Sequence, residues 1–270
     1  MNGKLLNRKK NPLIMQPRDL DVLQTVFLFR FLNSGQIKNL CRFNCQKRAN
    51  DRLRKLFDNG YLSKRLFVDN FAKQVLYFTG PKAAEIITST TGVNPEEIRK
   101  KRVQALKTRD SFLVQFLQGN NVRYSLEIAG RKDSLMKIEK FRYRPVLLLK
   151  EDTKLIPNSY LLIQYKDKTY NCFLKIDQSV DSSKKIKSSI ENYLDYGLSG
   201  EFERQFGFKY FRFLIVCKSS MRLRSLAKII ERITDKSFCW LTTRENISPE
   251  NILSDIWLRP NKKGRSSLIK

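Results

Sequence analysis

The chain has 270 residues, 53 Lys and Arg against 26 Asp and Glu, a formal net charge of +27 and no histidine. With 41% hydrophobic and 11% aromatic residues it can fill real cores and fits two ordinary domains, which excludes a disordered basic tail. The missing histidines exclude Ser-His-Asp and Cys-His catalysis and a relaxase that holds its metal through histidines; no P-loop or dinucleotide-binding glycine pattern occurs either.

The charge is spread over the whole molecule, +14 in residues 1–107 and +13 in residues 108–270. Such a field favours a polyanion, and nucleic acid is the first partner to expect, against the plainer alternative of a solvated lysine-rich surface. The five cysteines, at 41, 45, 172, 217 and 239, form no Cys-x-x-Cys pair and read as thiols of a reducing cytoplasm, so no metal and no cofactor are expected. The basic start has no apolar run behind it and no stretch approaches the length of a membrane span, so a cytoplasmic protein with no membrane partner is expected.

After a basic tail (residues 1–16), Pro17 and Asp19 open a helix with Leu20, Leu23, Phe27 and Phe31 at helical spacing. Asn33 and Ser34 break it, and a short helix with Ile37 and Leu40 inward follows. Asn44 is the expected cap of a third helix, Cys45 to Asn59, stopped by Asn59-Gly60. Its apolar face is Ala49, Leu53, Leu56 and Phe57. Lys47, Arg48, Asp51, Arg54 and Lys55 lie opposite. A helix with an apolar back and a basic front, third in such a set, suits the major groove. Gln46, Lys47 and Arg48 in its first turn are candidates for base edges, and Arg52, Arg54 and Lys55 for phosphates.

Tyr61 to Val68 and Gln74 to Thr79 read as two strands around the polar tip Asp69-Asn70-Phe71-Ala72-Lys73, a wing carrying Lys64, Arg65 and Lys73. Pro81 then starts a helix from Lys82 to Thr88. These elements together define a winged helix-turn-helix over residues 17–91. Asn94-Pro95-Glu96-Glu97 starts a basic linker helix within residues 92–110; its Arg99, Lys100, Lys101 and Arg102 either lie along DNA or face solvent.

Beyond it, residues 111–259 read as an α/β domain. Strands are expected at 146–150, 159–165, 170–176, 211–217 and 238–242, and helices at 182–196, at 221–233 and briefly after Ser248-Pro249. Residues 260–270 read as a basic tail. The overall class is α+β, a winged helix followed by a mixed sheet flanked by helices. The aromatics from Tyr193 to Phe211 read as core in preference to a base-stacking platform.

The segments RDLDVLQTVFLFRFLNSGQI, KRANDRLRKLFDNGYLSKR and LYFTGPKAAEII, with IPNSYLLIQYKDKTYNCFLKIDQS and KKIKSSIENYLDY, are similar to the plasmid replication-relaxation family. The resemblance implies a winged helix ending in a Tyr-x-Leu-Thr-x-x-Gly-like junction, here Tyr77-Phe78-Thr79-Gly80-Pro81. It also implies a restriction-endonuclease-like domain with a Pro-Asp and a Glu-x-Asp on adjacent strands. Such a nuclease holds Mg²⁺ with carboxylates. This chain has Asn158 after Pro157, and Lys175-Ile176-Asp177 in place of Glu-x-Asp, so a degenerate site is expected, with Asp152, Asp167 or Asp181 as the only nearby replacements.

The expectation is therefore a non-enzymatic, sequence-specific double-stranded-DNA-binding protein of a plasmid, phage or integrated element, acting in replication initiation or its control. Replication proteins and a second copy of the chain are its further expected partners. The rival readings are a transcriptional regulator built on the same reader and a Mg²⁺-dependent endonuclease.

Overall fold

A computed structural model of the chain describes residues 13–69, 72–150, 153–178 and 182–269. Most of the expected amino-terminal tail, two residues of the wing tip (70 and 71), Asp152 and Asp181 lie outside the described residues. The chain divides into two compact units, residues 1–114 and 115–270.

The first unit begins with α1 (Pro17–Phe29). Pro17 fixes its first turn, and the Asp19 carboxylate reaches back to accept the Gln16 amide at 2.7 Å. Val22, Leu23, Val26, Phe27 and Phe29 are buried along it. Then come β1 (Leu32–Asn33) and α2 (Ser34–Leu40), whose start is closed by a reciprocal Asn33–Gln36 capping pair. α3 (Gln46–Asp58) begins one residue later than expected, capped by Cys45 in extended conformation rather than by Asn44; it stops at Asn59, with Gly60 at φ +82°.

β2 (Leu62–Asp69) and β3 (Ala72–Thr79) form the hairpin, longer than expected at both strands, and β1 adds a third antiparallel strand where the sequence suggested only a break. α4 (Ala83–Thr91) and α5 (Pro95–Lys107) follow. Gly80 joins hairpin to helix where backbone passes backbone. A Cβ there would lie 2.4 Å from the Gly60 carbonyl oxygen and 2.5 Å from the Tyr61 carbonyl carbon. The glycine of the Thr79-Gly80-Pro81 junction is thus a packing requirement.

α5 belongs to this unit and is not a free connector: Ile98 and Ala105 are buried. α6 (Asp110–Gly130) then runs from the first unit into the second.

The second unit is built on a seven-stranded mixed sheet. β4 (Met136–Tyr143), β7 (Ser159–Tyr165) and β8 (Lys168–Ile176) pair antiparallel in that order. After α7 (Ser183–Leu198) and α8 (Glu201–Phe206), β9 (Arg212–Cys217) returns parallel to β8; after α9 (Ser220–Ile233), β10 (Cys239–Thr243) is parallel to β9. One face packs Phe173, Phe213 and Ile215 against Ile190 and Tyr193 of α7 and Leu226 and Ile230 of α9. The other packs Leu161, Leu174 and Val216 with Val122 and Leu126 of α6. This is the mixed sheet flanked by helices that the sequence implied. The clustered aromatics are core, with Phe173 ringed by Tyr193, Tyr196, Phe202, Phe206 and Phe211 at 5.0–6.1 Å.

Three expectations are corrected. The strand at 146–150 is β5 (Leu147–Lys150), which pairs only with β6 (Thr153–Leu155) in a separate hairpin, and β4 takes the sheet edge instead. No helix follows Pro249; the segment is a series of turns that buries Ile252. Residues 260–269 are not a tail: β12 (Arg265–Ser266) pairs with β11 (Trp257–Leu258) at the other sheet edge, and Leu268 and Ile269 enter the core. The apolar Leu268-Ile269 pair outweighs the flanking charges in deciding where this segment goes.

Candidate nucleic-acid interface

The basic front of α3 is formed as the spacing implied. Ala49, Leu53 and Leu56 are buried, while Gln46, Lys47, Arg48, Arg54 and Lys55 are exposed. The first turn is ordered from within, because the Gln46 amide donates to Asn50 Oδ1 at 2.8 Å. Asp51, the one acid on this face, is 3.4 Å from Arg54 and so offsets a cation one turn below the tip. Lys47 and Arg48 therefore sit at the exposed amino-terminal end of a helix anchored by its back.

Arg52 departs from expectation. It is directed inward, its side chain only 14% exposed, and clasps the fully buried Asp19 carboxylate. Nε donates to Oδ1 at 2.6 Å and Nη2 to both Oδ2 and, at 2.8 Å, the Ile14 carbonyl. Asp19 holds the guanidinium above its ordinary pKa. The residue locks α3 onto the start of α1, which leaves it little reach toward a phosphate. A signal for this lay in the spacing: Arg52 falls between Ala49 and Leu56 at a core position, and Asp19 stands in the same relation to Val22, Leu23 and Val26.

On the wing, Lys64 and Lys73 are exposed, and the Lys64 ammonium lies 4.2 Å from the centre of the Phe57 ring. Arg65 faces the other way. It donates to the Thr108 carbonyl at 2.6 Å and to Asp110 at 2.5 Å, tying the wing to the residues after α5.

The α5 cations are partly offset. Arg99 pairs with Glu96 at 2.6 Å, and Lys101 with Glu97 at 2.7 Å while lying 4.3 Å from the Phe27 ring centre. Lys101 draws the Glu97 carboxyl below its ordinary pKa. Arg102 has its Nε buried, and Lys100 is exposed. The expected continuous basic stripe is thus broken: Lys101 and Arg102 share the inward face of Ile98 and Ala105.

In the second unit, Asn158 stands beside the carboxyl end of β8, but as a structural group: its Oδ1 accepts the Ile176 amide at 2.8 Å, and its own amide nitrogen donates to the Leu174 carbonyl at 2.8 Å. Lys175 is half-buried in a cleft of about 530 Å³. Asp177 is fully buried, and both of its carboxylate oxygens accept from Arg222, Nε at 3.0 Å and Nη2 at 3.2 Å. Arg244 adds bonds to the Asp177 carbonyl and to Gln178 Oε1 at 3.2 and 2.9 Å. The sequence gave no hint of Arg222 or Arg244, which lie 45 and 67 residues further along the chain. Among the described residues no group of three His, Cys, Asp or Glu side chains is placed to hold a metal ion, and no helix is long and apolar enough to cross a membrane.

The fold and these sites define a two-unit α+β protein with an exposed basic helix on the first unit and a mixed sheet in the second. The replication-relaxation family model matches residues 23–209, and the chain belongs to that family. Membership gives it a role in plasmid replication or its control. None of the curated proteins compared with the chain matches it. The chain is also similar to two solved structures of the restriction endonuclease FokI. For the one bound to DNA the identity is 12% and the TM-score 0.32, over 85% of this chain and 43% of that one. For the other the values are 10% and 0.31, over 91% and 48%. The chain therefore spans less than half the length of the FokI chains it matches.

Proposed function

We propose that the first unit is a winged-helix reader that binds duplex DNA in a sequence-specific manner, and that the protein acts in replication through binding and recruitment, without cutting. The observation that carries this reading is α3: Gln46, Lys47 and Arg48 stand exposed at its amino-terminal end while Ala49, Leu53 and Leu56 anchor its back. Arginine and glutamine there have the fork geometry that recognises guanine and adenine edges in the major groove. Lys64 and Lys73 on the hairpin supply phosphate contacts alongside. The net charge of +27 supports the same partner.

Two features support a non-cutting role for the second unit. Asn158 and Lys175 stand where the resemblance calls for metal-binding carboxylates, and Arg222 closes off Asp177. A guanidinium on both oxygens must be displaced before a divalent cation can bind there. The test is selection of bound duplexes from a random pool at physiological salt. A single enriched site, mapping to a replication origin, is expected; recovery of the unselected pool would contradict the reading, and a promoter site would turn it toward transcriptional control.

A further inference from the structure

We infer that the cleft beside the carboxyl end of β8 is a metal-independent phosphate-binding site. Three separate elements bring ammonium groups to it: Lys154 from β6, Lys175 from β8, and Lys184 and Lys185 from the first turn of α7. Ser189 and Asn192, further along α7, add neutral hydrogen-bonding groups to the same wall. Among the described lining residues there is no carboxylate.

Like charges gathered on a concave, partly apolar wall repel one another and focus a positive potential into the cleft, so an anion with several oxygens is the complementary occupant. The α7 amino terminus adds to this field, since its first amides point to the same end of the helix; one of them, Lys185 N–H, is already capped by the Ser182 hydroxyl at 3.3 Å. The volume of about 530 Å³ falls in the roughly 300–1,000 Å³ range of small-molecule pockets, so a phosphate can enter with its attached sugar. Lysine is a common phosphate ligand, acting as a point charge, and needs no metal to do so. Where the family resemblance implies a carboxylate-held cation, this chain presents cations of its own. The phosphate may be a phosphodiester of DNA or that of a free nucleotide, and the chemistry at the cleft is the same.

The test is acetylation footprinting of the full chain in EDTA at physiological salt, read lysine by lysine by mass spectrometry. The probes are a random-sequence duplex, AMP and inorganic phosphate, and the Arg48→Ala variant is run beside the wild type so that failure of the α3 reader is seen separately. Acetylation of Lys154, Lys184 and Lys185 should slow several-fold with one of these probes, and equally in Arg48→Ala. Protection by the duplex identifies DNA as the source, and protection by AMP or phosphate alone a free ligand. No protection by any probe, or protection only after Mg²⁺ is added, would overturn the site. As Lys154 and Lys184 are exposed, the Lys154→Gln, Lys184→Gln double variant should fold. If DNA is the source it should lower the slope of log affinity against log salt on random duplex by about 1.8, at about 0.9 per phosphate lost. Duplex protection with an unchanged slope would also overturn the proposal.

Discussion

Arg222 closes both carboxylate oxygens of Asp177, with Nε on Oδ2 at 3.0 Å and Nη2 on Oδ1 at 3.2 Å. The pair joins the end of β8 to the first turn of α9, so the acid that most resembles a nuclease ligand is a structural clasp. Removing one partner strands a buried charge, and Arg222→Ala should cost about 3–5 kcal/mol in urea unfolding of the second unit. Arg222→Lys should recover only part of this, because an ammonium cannot form the two-pronged bond. A loss under about 1 kcal/mol would show that the clasp is not structural. Plasmid incubated with the wild-type protein and Mg²⁺ or Mn²⁺ should stay intact; cleavage abolished by Asp177→Ala would contradict the non-cutting role.

Arg52 and Lys73 should behave oppositely although both are basic residues of the first unit. Arg52→Ala leaves Asp19 buried and unpaired and should destabilise the unit by about 3 kcal/mol. The folded variant should keep the wild-type salt dependence on random DNA. Lys73→Ala should leave stability within about 0.5 kcal/mol and reduce the salt slope by about 1. Both quantities come from urea titration and fluorescence anisotropy, and a salt-slope change in folded Arg52→Ala would return that residue to the DNA-contacting set.

Gly80→Ala tests the hairpin-to-helix junction. The added methyl would meet backbone atoms of Gly60 and Tyr61, which cannot turn aside as a side chain can. A loss of about 3 kcal/mol is expected by chemical denaturation. Gly92→Ala is the useful comparison, since Gly92 has open space around its Cβ position and strain only from φ +70°.

Burial pushes the Cys172 and Cys217 thiols from 9.0 up to about 12, Asp177 adding to the effect at Cys217, and it raises the Tyr160 hydroxyl from 10.0 to about 12. The folded state therefore holds protons that the unfolded chain releases above about pH 9, and their stabilising contribution is fully present below that pH and lost as pH climbs toward 12. The melting temperature should fall progressively between pH 9 and 11, and Cys217→Ala should make the fall shallower. At pH 7.5 an alkylating reagent should modify exposed Cys45 while Cys172, Cys217 and Cys239 react only after denaturation. A flat melting profile to pH 11 would contradict the burial argument.

Much of this architecture was legible in the sequence because local chemistry dictates it. Pro17, Asn94-Pro95 and Asn59-Gly60 mark helix ends by their backbone preferences alone, and the apolar spacing of α3 fixes which face turns outward. What escaped is set by distant partners. Arg52, Lys101 and Arg102 look like contact residues in a count of charge, yet each occupies an inward position whose meaning depends on Asp19, on Phe27 or on the packing of α5. β4 was hidden because an edge strand with Lys137, Glu139 and Lys140 exposed or half-exposed carries little apolar alternation. The candidate cleft was half visible: Asn158 and Lys175 come from the motif, but Lys154 and Lys184 reach it only through the fold.

The central claim is that α3 reads base sequence, and Arg48 tests it most directly. Affinity of wild type, Arg48→Ala and Lys73→Ala should be measured at physiological salt on the selected site and on a random duplex of equal length. Arg48→Ala should lose about 1–3 kcal/mol on the selected site and far less on random DNA, while Lys73→Ala loses similar amounts on both. Equal loss on the two duplexes for Arg48→Ala would contradict base reading by this helix.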